Sequence, residues 1–426
     1  MAGPADARRV VITGTGLVCP LGGSVEQVFA DLCAGKSGIA PVQRFDTAGY
    51  DVRFGGECLE FRYEDYVVRE LIRDRPELSA KRLDRFSQFA LAAAIRAVGD
   101  AGLDFNAEDR TRCGVIVGSG IGGLMEVEEQ HSRLLAGGPS RVRPFLVPKL
   151  MANAGSGNIS IYYHLNGPCS TTVTACASAA NAMGDALRAM QRGEADVMIT
   201  GGAEAALTPI GLSGFCSLKA LSTRNDDPLH ASRPFDADRD GFVLSEGAGV
   251  MVLETLEHAQ GRGARIYGEL LGFGMSGDGT YIAAPHPDGY GAALAMKAAI
   301  ADAGLEPADI DHINAHGTAT PLGDTAECRG IHTAFGEAAR HVAVTSTKSH
   351  IGHLLGASGG VESIFCLMTL ATGRIPPTVN LEKLDPDCDI DLVTGEPREV
   401  ELRYVMNNSF GFGGHNACLV FGRYEG

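Results

Sequence analysis

Tryptophan is absent from the 426-residue sequence, and positive charge is scarce. Lys and Arg total 36 against 52 Asp and Glu, so the formal net charge is −16. A chain that binds nucleic acid or an anionic membrane needs a basic face to contact the phosphates. We therefore expect no nucleic-acid partner and no membrane partner, and an acidic protein partner would have to meet a local cluster of basic residues.

The sequence also lacks the spacings of a disulfide framework or a zinc site. No two of its 11 cysteines stand as C-x-x-C, and none is paired with histidine at zinc-finger spacing. No apolar run reaches the length of a membrane span, and no apolar leader precedes the first strand-like run. These absences favour a cytoplasmic protein, and we expect no metal and no other cofactor.

The sequence does contain a regular alternation of strand-like and helical segments. β-Branched and apolar runs predict strands at Val10–Thr13, Gly114–Val117, Val197–Thr200, Val250–Glu254, His312–Asn314, Val342–Thr347 and Cys418–Phe421. Ala-rich runs predict helices at Gln88–Ala101, Ala177–Gln191, Gly291–Ala303 and Val361–Leu370. The alternation predicts an α/β protein with buried sheets.

Two stretches of the sequence repeat each other. Residues 90–103 read ALAAAIRAVGDAGL, residues 292–305 read AALAMKAAIADAGL, and a strand-like run follows each. A turn of small residues also precedes a long helix twice, around Cys176 and around Gly356. Ala-rich helices can look alike by composition alone, but several features recur here in the same order. We therefore predict two similar halves, residues 1–260 and 261–426, around a pseudo-twofold axis.

Cys176 is the candidate nucleophile. It lies in VTACASAA (residues 173–180), where a β-branched run meets a long helical run. A thiol at a helix N-terminus lies near free backbone N–H groups and the positive end of the helix dipole, which predicts a lowered pKa. The alternative for any single cysteine is a buried, inert side chain.

Two histidines follow strand-like runs beside glycines and hydroxyls. His316 lies in NAHGTAT (residues 314–320) and His353 in KSHIGH (residues 348–353). Such positions suit a site in the crevice at the carboxyl ends of strands. A metal site at His312 and His316 is not favoured, because four residues of strand span ~13 Å.

Two glycine motifs suggest functions of other classes. Residues 118–123, GSGIGG, match the G-x-G-x-x-G dinucleotide fingerprint, but no acidic residue ends a second strand, and we favour a tight turn that lines a pocket. Residues 356–360, GASGG, match the G-x-S-x-G element with Ser358 as nucleophile, but the preceding predicted strand ends near Thr347. An oxidoreductase built on Gly118 and a serine hydrolase built on Ser358 remain as alternatives.

Four separated motifs together resemble the β-ketoacyl-acyl-carrier-protein synthases, specifically the elongating Cys-His-His type called synthase II. They are residues 173–177 around the cysteine, NAHGTAT, KSHIGHLLG (residues 348–356) and NSFGFGG (residues 408–414). The similarity runs from about Val10 to Phe421. It implies a thiolase-like, duplicated α-β-α-β-α five-layered fold. The implied activity is that of a 3-oxoacyl-[acyl-carrier-protein] synthase, an acyltransferase of fatty acid elongation.

The resemblance also implies roles for individual residues in a decarboxylative Claisen condensation. Cys176 would carry the acyl group as a thioester. His316 and His353 would donate hydrogen bonds to the enolate formed from the malonyl unit. His353 would also help to activate the thiol, and Lys348 would orient and tune the site. The backbone N–H groups of Cys176 and Phe412 would form a second oxyanion hole.

Further residues are implied to contact the substrate. Phe410 and Phe412, in a glycine-rich loop, would gate the acyl pocket. Thr318 and Thr320 would contact the malonyl unit and pantetheine, and Ile121 would line the acyl tunnel.

The implied partner is an acidic acyl carrier protein, acyl-loaded and then malonyl-loaded, and the implied assembly is a homodimer. Docking would use local basic clusters. The candidates are Lys81, Arg82 and Arg85 in one cluster, and Lys219 and Arg224 in a second.

Several alternatives remain within the resemblance. A ketosynthase of a specialised polyketide or lipid pathway would carry the same motifs. A thiolase would need a second catalytic cysteine, whereas Cys418 lies in a predicted strand, and a Cys-His-Asn enzyme would carry Asn in place of His353. His350, His415 and Ser245 depart from the family pattern, and we expect none of them to touch Cys176, His316 or His353.

Overall fold

The computed structural model describes residues 8–67 and 73–426, and the elements below belong to that part of the chain. The first seven residues, where we predicted no apolar leader, lie outside it. The strands are β1 (Val10–Val18), β2 (Ala40–Pro41), β3 (Phe54–Gly55), β4 (Cys113–Gly118), β5 (Cys169–Ser170), β6 (Val197–Glu204), β7 (Gly247–Thr255), β8 (Gly268–Gly277), β9 (His312–Asn314), β10 (Ala343–Thr345), β11 (Arg374–Ile375), β12 (Asp391–Leu392), β13 (Arg398–Glu399), β14 (Tyr404–Gly411) and β15 (His415–Gly422).

The α-helices alternate with these strands. They are α1 (Val25–Cys33), α2 (Arg85–Ala101), α3 (Leu124–Gly137), α4 (Leu146–Leu150), α5 (Ala154–Tyr163), α6 (Ser178–Gln191), α7 (Pro209–Ser217), α8 (Leu256–Gly261), α9 (Tyr290–Asp302), α10 (Pro321–Phe335), α11 (Lys348–Ile351) and α12 (Ser358–Thr372). Local sequence sets their ends. The Asp84 carboxylate accepts from the N–H of Phe86 at the start of α2, and Gly102 ends that helix with a φ of 63°.

The described strands build an 11-stranded sheet in the order β12-β10-β9-β14-β15-β8-β1-β7-β6-β4-β5. On one side of the centre, β5, β4 and β6 pair in parallel, and β6, β7 and β1 pair antiparallel. On the other side, β10, β9 and β14 pair in parallel, and β14, β15 and β8 pair antiparallel. The two five-strand arrangements match strand for strand in chain order, and β1 joins β8 antiparallel at the centre. The duplication predicted from the sequence is therefore present, while a boundary at residue 260 stays a prediction.

The repeated Ala-rich segments form equivalent contacts in the two arrangements. α2 packs so closely on β1 that a Cβ on Gly14 or Gly16 would lie 2.1–2.2 Å from a carbonyl oxygen of the helix. In the same way, a Cβ on Gly272 or Gly274 of β8 would lie 2.1–2.3 Å from a carbonyl oxygen of α9. β1 extends to Val18, although the predicted strand ended at Thr13. The prediction ended early because Gly14 and Gly16 have low strand propensity, and here they allow the close packing of α2.

α6 and α12 contact each other and contribute much of one buried core. By length and composition, the segment Leu355–Thr372 of the described chain could cross a membrane, and 83% of it is buried inside the protein. A core helix of this kind passes the same test.

An ion cluster holds the end of β7. The buried Glu254 carboxylate contacts His258 Nδ1 at 2.5 Å and accepts from Arg262 Nε at 2.8 Å and from the Thr13 hydroxyl. The other imidazole nitrogen of His258 lies 2.9 Å from a Glu108 oxygen. The hydrogen bond to Glu254 is the main reason that the pKa of His258 is raised to about 9.

We expect His258→Gln to lower the free energy of unfolding by about 1.5–3 kcal/mol at pH 6, the usual worth of a hydrogen bond to a charged group. Because the pKa of His258 is higher in the folded state, its protonated imidazole stabilises the fold. This stabilisation is fully present below the unfolded pKa of 6.5 and is lost as the pH rises through about 9. Urea unfolding at pH 6 and pH 10 should therefore show a difference that shrinks with pH. His131→Gln, at an exposed position on α3, is the control. A difference of constant size would contradict the assignment.

Candidate active site

A cavity of about 520 Å³ lies where the two halves of the sheet bring several strand ends together. Its walls include the turn after β4, the end of β6, the loop after β9 and the β14–β15 hairpin. Of the predicted site residues, it is lined by Cys176, His316, His353, Phe410, Phe412, Thr318, Thr320, Ile121 and Lys219. The motifs that are far apart in the sequence therefore meet at one place.

Cys176 lies in a 3-10 turn (Ala175–Ala177) that runs directly into α6. Ala175 has a φ of 50°, a strained value for a residue with a side chain, and Leu355 has a φ of 49° in the equivalent turn before α12. The backbone N–H groups of Phe412 and of Cys176 itself approach the sulfur. Gly411 makes this approach possible, because a Cβ there would lie 3.0 Å from the Cys176 nitrogen.

The prediction that Cys176 has a lowered pKa is wrong. Burial raises the pKa of the Cys176 thiol to about 12, although the Lys348 charge and the Phe412 N–H act in the opposite direction. Only 7% of Cys176 is exposed, so loss of hydration outweighs the helix terminus. Attack by this sulfur therefore requires that its proton be taken up during the reaction.

His316 follows β9 and is fixed through its backbone. The Glu327 carboxylate on α10 accepts from the N–H of His316 at 2.8 Å, from the N–H of Gly317 at 2.7 Å and from the Asn408 amide at 3.1 Å. The His316 ring lies 5.7 Å from the Phe410 ring, centroid to centroid. Burial lowers the pKa of His316 well below its ordinary value, and the charge of Lys348 lowers it further.

His353 follows α11 and faces His316. Their ring centroids are 5.3 Å apart, and the ring planes meet at 85°. The His353 backbone N–H donates to the Val243 carbonyl at 2.7 Å, and its Nδ1 lies 2.9 Å from the Ser358 hydroxyl. Burial, together with Lys348, lowers the pKa of His353 well below its ordinary value. Both imidazoles are thus neutral at pH 7. The Ser358 hydroxyl can accept from Nδ1 of His353 or donate to it, so Nε2 is a proton acceptor in the first arrangement and a hydrogen-bond donor in the second.

Lys348 lies behind the cavity wall and does not line it. Its side chain is 1% exposed, and its Nζ lies 2.5 Å from a Glu362 oxygen on α12. The ion pair keeps a positive charge close to Cys176, His316 and His353, whose pKa values it lowers.

The remaining cavity residues occupy three walls. The Thr318 and Thr320 hydroxyls lie 3.0 Å apart in the loop after β9. Ile121 lies in the turn between β4 and α3 and is 40% exposed. Phe412 is in the hairpin turn, where Gly413 and Gly414 have φ values of 86° and 73°. Phe410, which we expected in the same loop, is in strand β14 instead.

The predicted docking residues are not equivalent. Lys81, Arg82 and Lys219 are exposed, and Lys219 is at the cavity wall. Arg224 is half-buried and pairs with Asp227 at 3.1 Å. Arg85 is unsuited to docking, because its side chain is only 16% exposed and lies 2.8 Å from the fully buried carboxylate of Glu246. The sequence alone predicts an exposed Arg85 at the start of α2, because its partner Glu246 is far away in the sequence.

The two motifs of other classes have structural explanations. In a dinucleotide site, the backbone N–H groups of the turn at residues 118–123 would bind a phosphate. Here the Glu204 carboxylate accepts from the N–H of Gly120 at 2.7 Å instead. Ser358 is 1% exposed at the start of α12 and contacts His353. The glycines beside it allow close packing, since a Cβ on Gly360 would lie 2.4 Å from a β7 oxygen. The Glu204 carboxylate in the first motif argues against a dinucleotide site. The burial of Ser358, which does not line the cavity, argues against a serine hydrolase.

Of the three departures, one contacts a site residue, contrary to expectation. The Ser245 N–H donates to the His353 carbonyl at 3.0 Å. His350 is buried, and its two ring nitrogens lie 2.9 and 2.8 Å from the carbonyls of Lys36 and Pro377.

Three buried carboxylates around the cavity were missed by the sequence analysis: Glu204, Glu327 and Glu362. For Glu204 and Glu362 the signal is an isolated acidic residue within a segment otherwise rich in Ala, Gly and apolar residues, whereas Glu327 lies among other charged residues. In such a segment, a charge is retained only where donors surround it.

Comparison with known families identifies the class. Residues 7–259 match the family described as "Beta-ketoacyl synthase, N-terminal domain", and residues 267–382 match "Beta-ketoacyl synthase, C-terminal domain". The chain therefore belongs to the β-ketoacyl synthase family, and the resemblance stated from the motifs is confirmed.

Particular relatives match over almost the full length. The 3-oxoacyl-[acyl-carrier-protein] synthase 2 of Synechocystis sp. is 49% identical over 420 residues, covering 99% of this chain and 99% of that protein. Among solved structures, the ishigamide ketosynthase/chain length factor has a TM-score of 0.91 at 35% identity, covering 98% of this chain and 100% of the other. A ketosynthase in complex with its type II PKS acyl-carrier protein has a TM-score of 0.90 at 30% identity, with the same coverage. The predicted thiolase-like, duplicated α/β fold is confirmed.

Proposed function

We propose that the protein is a 3-oxoacyl-[acyl-carrier-protein] synthase of fatty acid elongation. The observation that carries the proposal is the meeting of Cys176, His316 and His353 in one cavity. The 49% identity to a synthase 2 over the whole chain supports it.

In the first half of the reaction, the Cys176 sulfur attacks the thioester of acyl carrier protein. The carrier thiol leaves, and the acyl group stays on the enzyme as a new thioester. The N–H groups of Cys176 and Phe412 stabilise the tetrahedral oxyanion. His353, whose ring lies in the same cavity, accepts the Cys176 thiol proton and passes it to the departing carrier sulfur, which leaves as a thiol.

In the second half, malonyl carrier protein loses CO₂, and the resulting carbanion forms a carbon–carbon bond to the acyl carbonyl. The Cys176 thiolate leaves and takes up one proton, so the products are 3-oxoacyl carrier protein, CO₂ and free thiol. His316 and His353, as neutral donors, stabilise the enolate oxygen of the malonyl-derived unit. Thr318 and Thr320 contact the malonyl and pantetheine groups.

The experiment that tests this function combines acyl carrier protein, malonyl carrier protein and the purified chain. Mass spectrometry should find a carrier-bound 3-oxoacyl product longer by two carbons, with one CO₂ released per product. Saturated acyl chains should be extended in preference to 3-oxoacyl chains. The reverse preference would favour a specialised polyketide pathway, and an absence of product would contradict the proposal.

For the carrier protein, we propose docking on Lys81, Arg82 and Lys219. These side chains are exposed, and Lys219 is at the cavity where the pantetheine must enter. An acidic carrier meets a chain of net charge −16, so these local charges must steer its approach.

We expect the charge reversals Arg82→Glu and Lys219→Glu to raise the KM for acyl carrier protein about 10-fold, with little change in kcat. The salt dependence of kcat/KM should weaken in both variants. Lys297→Glu, at an exposed position on α9, is the matched control. A fall in kcat at unchanged KM would contradict docking at these positions.

We also propose a cytoplasmic homodimer. Helix α3 supports the assembly, because its buried side chains are the polar Glu126 and Gln130, while Val127 and Leu135 are 41% and 75% exposed. An apolar face of this kind is typical of a surface that a partner covers. Analytical ultracentrifugation should give twice the mass of the chain.

A further inference from the structure

Glu204 is fully buried at the end of β6, and four neutral donors surround its carboxylate. Oε2 accepts from the N–H of Gly120 at 2.7 Å and from the N–H of Gly356 at 3.2 Å. Oε1 accepts from the Ser119 hydroxyl at 3.1 Å and from the N–H of Ile121 at 3.3 Å. None of these four contacts has a role in the proposed reaction.

The four donors belong to two segments that are far apart in the chain. Gly120 and Ile121 lie in the turn between β4 and α3, and they line the cavity together with Glu204 and Cys176. Gly356 lies in the turn that precedes α12. The segments touch, since a Cβ on Gly356 would lie 2.3 Å from the Gly120 nitrogen and 2.7 Å from Glu204 Oε2. One carboxylate therefore ties the cavity turn to the opposite half of the molecule.

Burying a carboxylate of this kind costs free energy of desolvation, which opposes folding. Burial disfavours the charged form and raises the pKa of Glu204 to about 7, although the four hydrogen bonds act in the opposite direction. The negative charge also raises the pKa of the nearby Cys176. An amide has one acceptor oxygen and a donor in place of the second oxygen, so only a carboxylate serves all four contacts and holds this turn through both oxygens.

We propose that Glu204 is a positioning residue that sets the acyl-chain specificity of the cavity by holding the backbone of Ile121. The inference rests on the proposed function, because an acyl chain on Cys176 occupies the cavity that Ile121 lines. With the Ile121 N–H held, its side chain takes one position in the wall and limits the chain length that fits. Without that hydrogen bond, the Ile121 side chain is no longer held in one position and no longer limits the acyl-chain length in the same way.

Glu204→Gln tests this role. The new amide NH₂ is best placed toward Ser119, whose hydroxyl can accept, and the amide oxygen then serves Gly120 and Gly356. The Ile121 N–H is left facing a donor. We expect the ratio of kcat/KM for long over short saturated acyl carrier proteins to change by ~10-fold, since one methylene in an apolar pocket discriminates on this scale. Loss of the negative charge also lowers the pKa of Cys176, and this effect should change the rate by the same factor at every chain length, so the ratio isolates the effect on the wall.

Two further variants sharpen the test. Ile121→Ala should shift the ratio in the same direction, and the double variant with Glu204→Gln should shift it no further than Ile121→Ala alone. If Glu204→Gln does not fold, Glu204→Asp keeps the charge, moves the acceptors by one methylene and should also shift the ratio.

The matched control is Glu57→Gln. Glu57 is also a buried carboxylate that accepts from two backbone N–H groups, of Gln43 and Arg44, but it does not line the cavity. Its variant should leave the chain-length ratio unchanged. An unchanged chain-length ratio in Glu204→Gln, or the same shift of the ratio in Glu57→Gln, would overturn the inference. Wild-type protein that forms no 3-oxoacyl product would instead overturn the proposed function.

Discussion

Cys176→Ala is expected to abolish acyl transfer, with a fall of roughly 10³-fold or more in the rate, because the acyl group must pass through a covalent thioester. The measurement is peptide mass spectrometry after incubation with acyl carrier protein. In the wild type, the peptide with Cys176 should gain the acyl mass and lose it when malonyl carrier protein is added. The variant should gain none.

Exposure alone would predict a different cysteine. Cys169 is exposed, Cys216 is half-buried near the cavity, and Cys176 is 7% exposed with a pKa raised to about 12. General alkylating agents should therefore label Cys169 first, whereas acyl carrier protein should acylate Cys176 alone. Cys216→Ser is the matched control, since Cys216 does not line the cavity. Wild-type protein that is folded but never acylated at Cys176 would remove the nucleophile from the proposed reaction.

The contrast between these cysteines shows what the sequence could predict. Short motifs at strand and helix ends predicted which side chains meet, because the carboxyl ends of parallel strands and the start of a helix are local features. The electrostatics of Cys176 could not be read in the same way. Its pKa depends on how completely the hairpin turn at Phe412 and the opposite half of the molecule exclude water.

The fold was predictable to a similar degree. The Ala-rich repeats and the strand-like runs predicted the duplication, because their periodicity and small residues encode the close packing of α2 on β1 and of α9 on β8. β8 and β14 were not predicted. Glycines interrupt β8, and polar asparagines interrupt β14, so both departed from an apolar run. Those asparagines face buried partners such as Glu327, which only the tertiary structure supplies.

His316→Ala is expected to separate the two halves of the reaction. The loss of one oxyanion donor lowers rates by about 10²–10³-fold, so condensation should fall by that amount. Acylation of Cys176 uses the backbone N–H groups of Cys176 and Phe412 instead, and it should be spared. The acyl-enzyme should therefore accumulate on the Cys176 peptide and discharge slowly. His353→Ala should slow both steps, because His353 also assists removal of the thiol proton.

The protonation state of the imidazoles gives a second readout. Burial and the nearby Lys348 lower the pKa values of His316 and His353 well below 6.5, so both stay neutral from pH 8 down to pH 6. Discharge of a preformed acyl-enzyme by malonyl carrier protein should thus be nearly independent of pH over this range. His341→Ala, at an exposed position in the same half of the chain, should behave as the wild type. A rate that falls with an apparent pKa near 6.5 would mean that the histidines titrate as solvated groups, and the enolate would then lack the two neutral donors assigned to it.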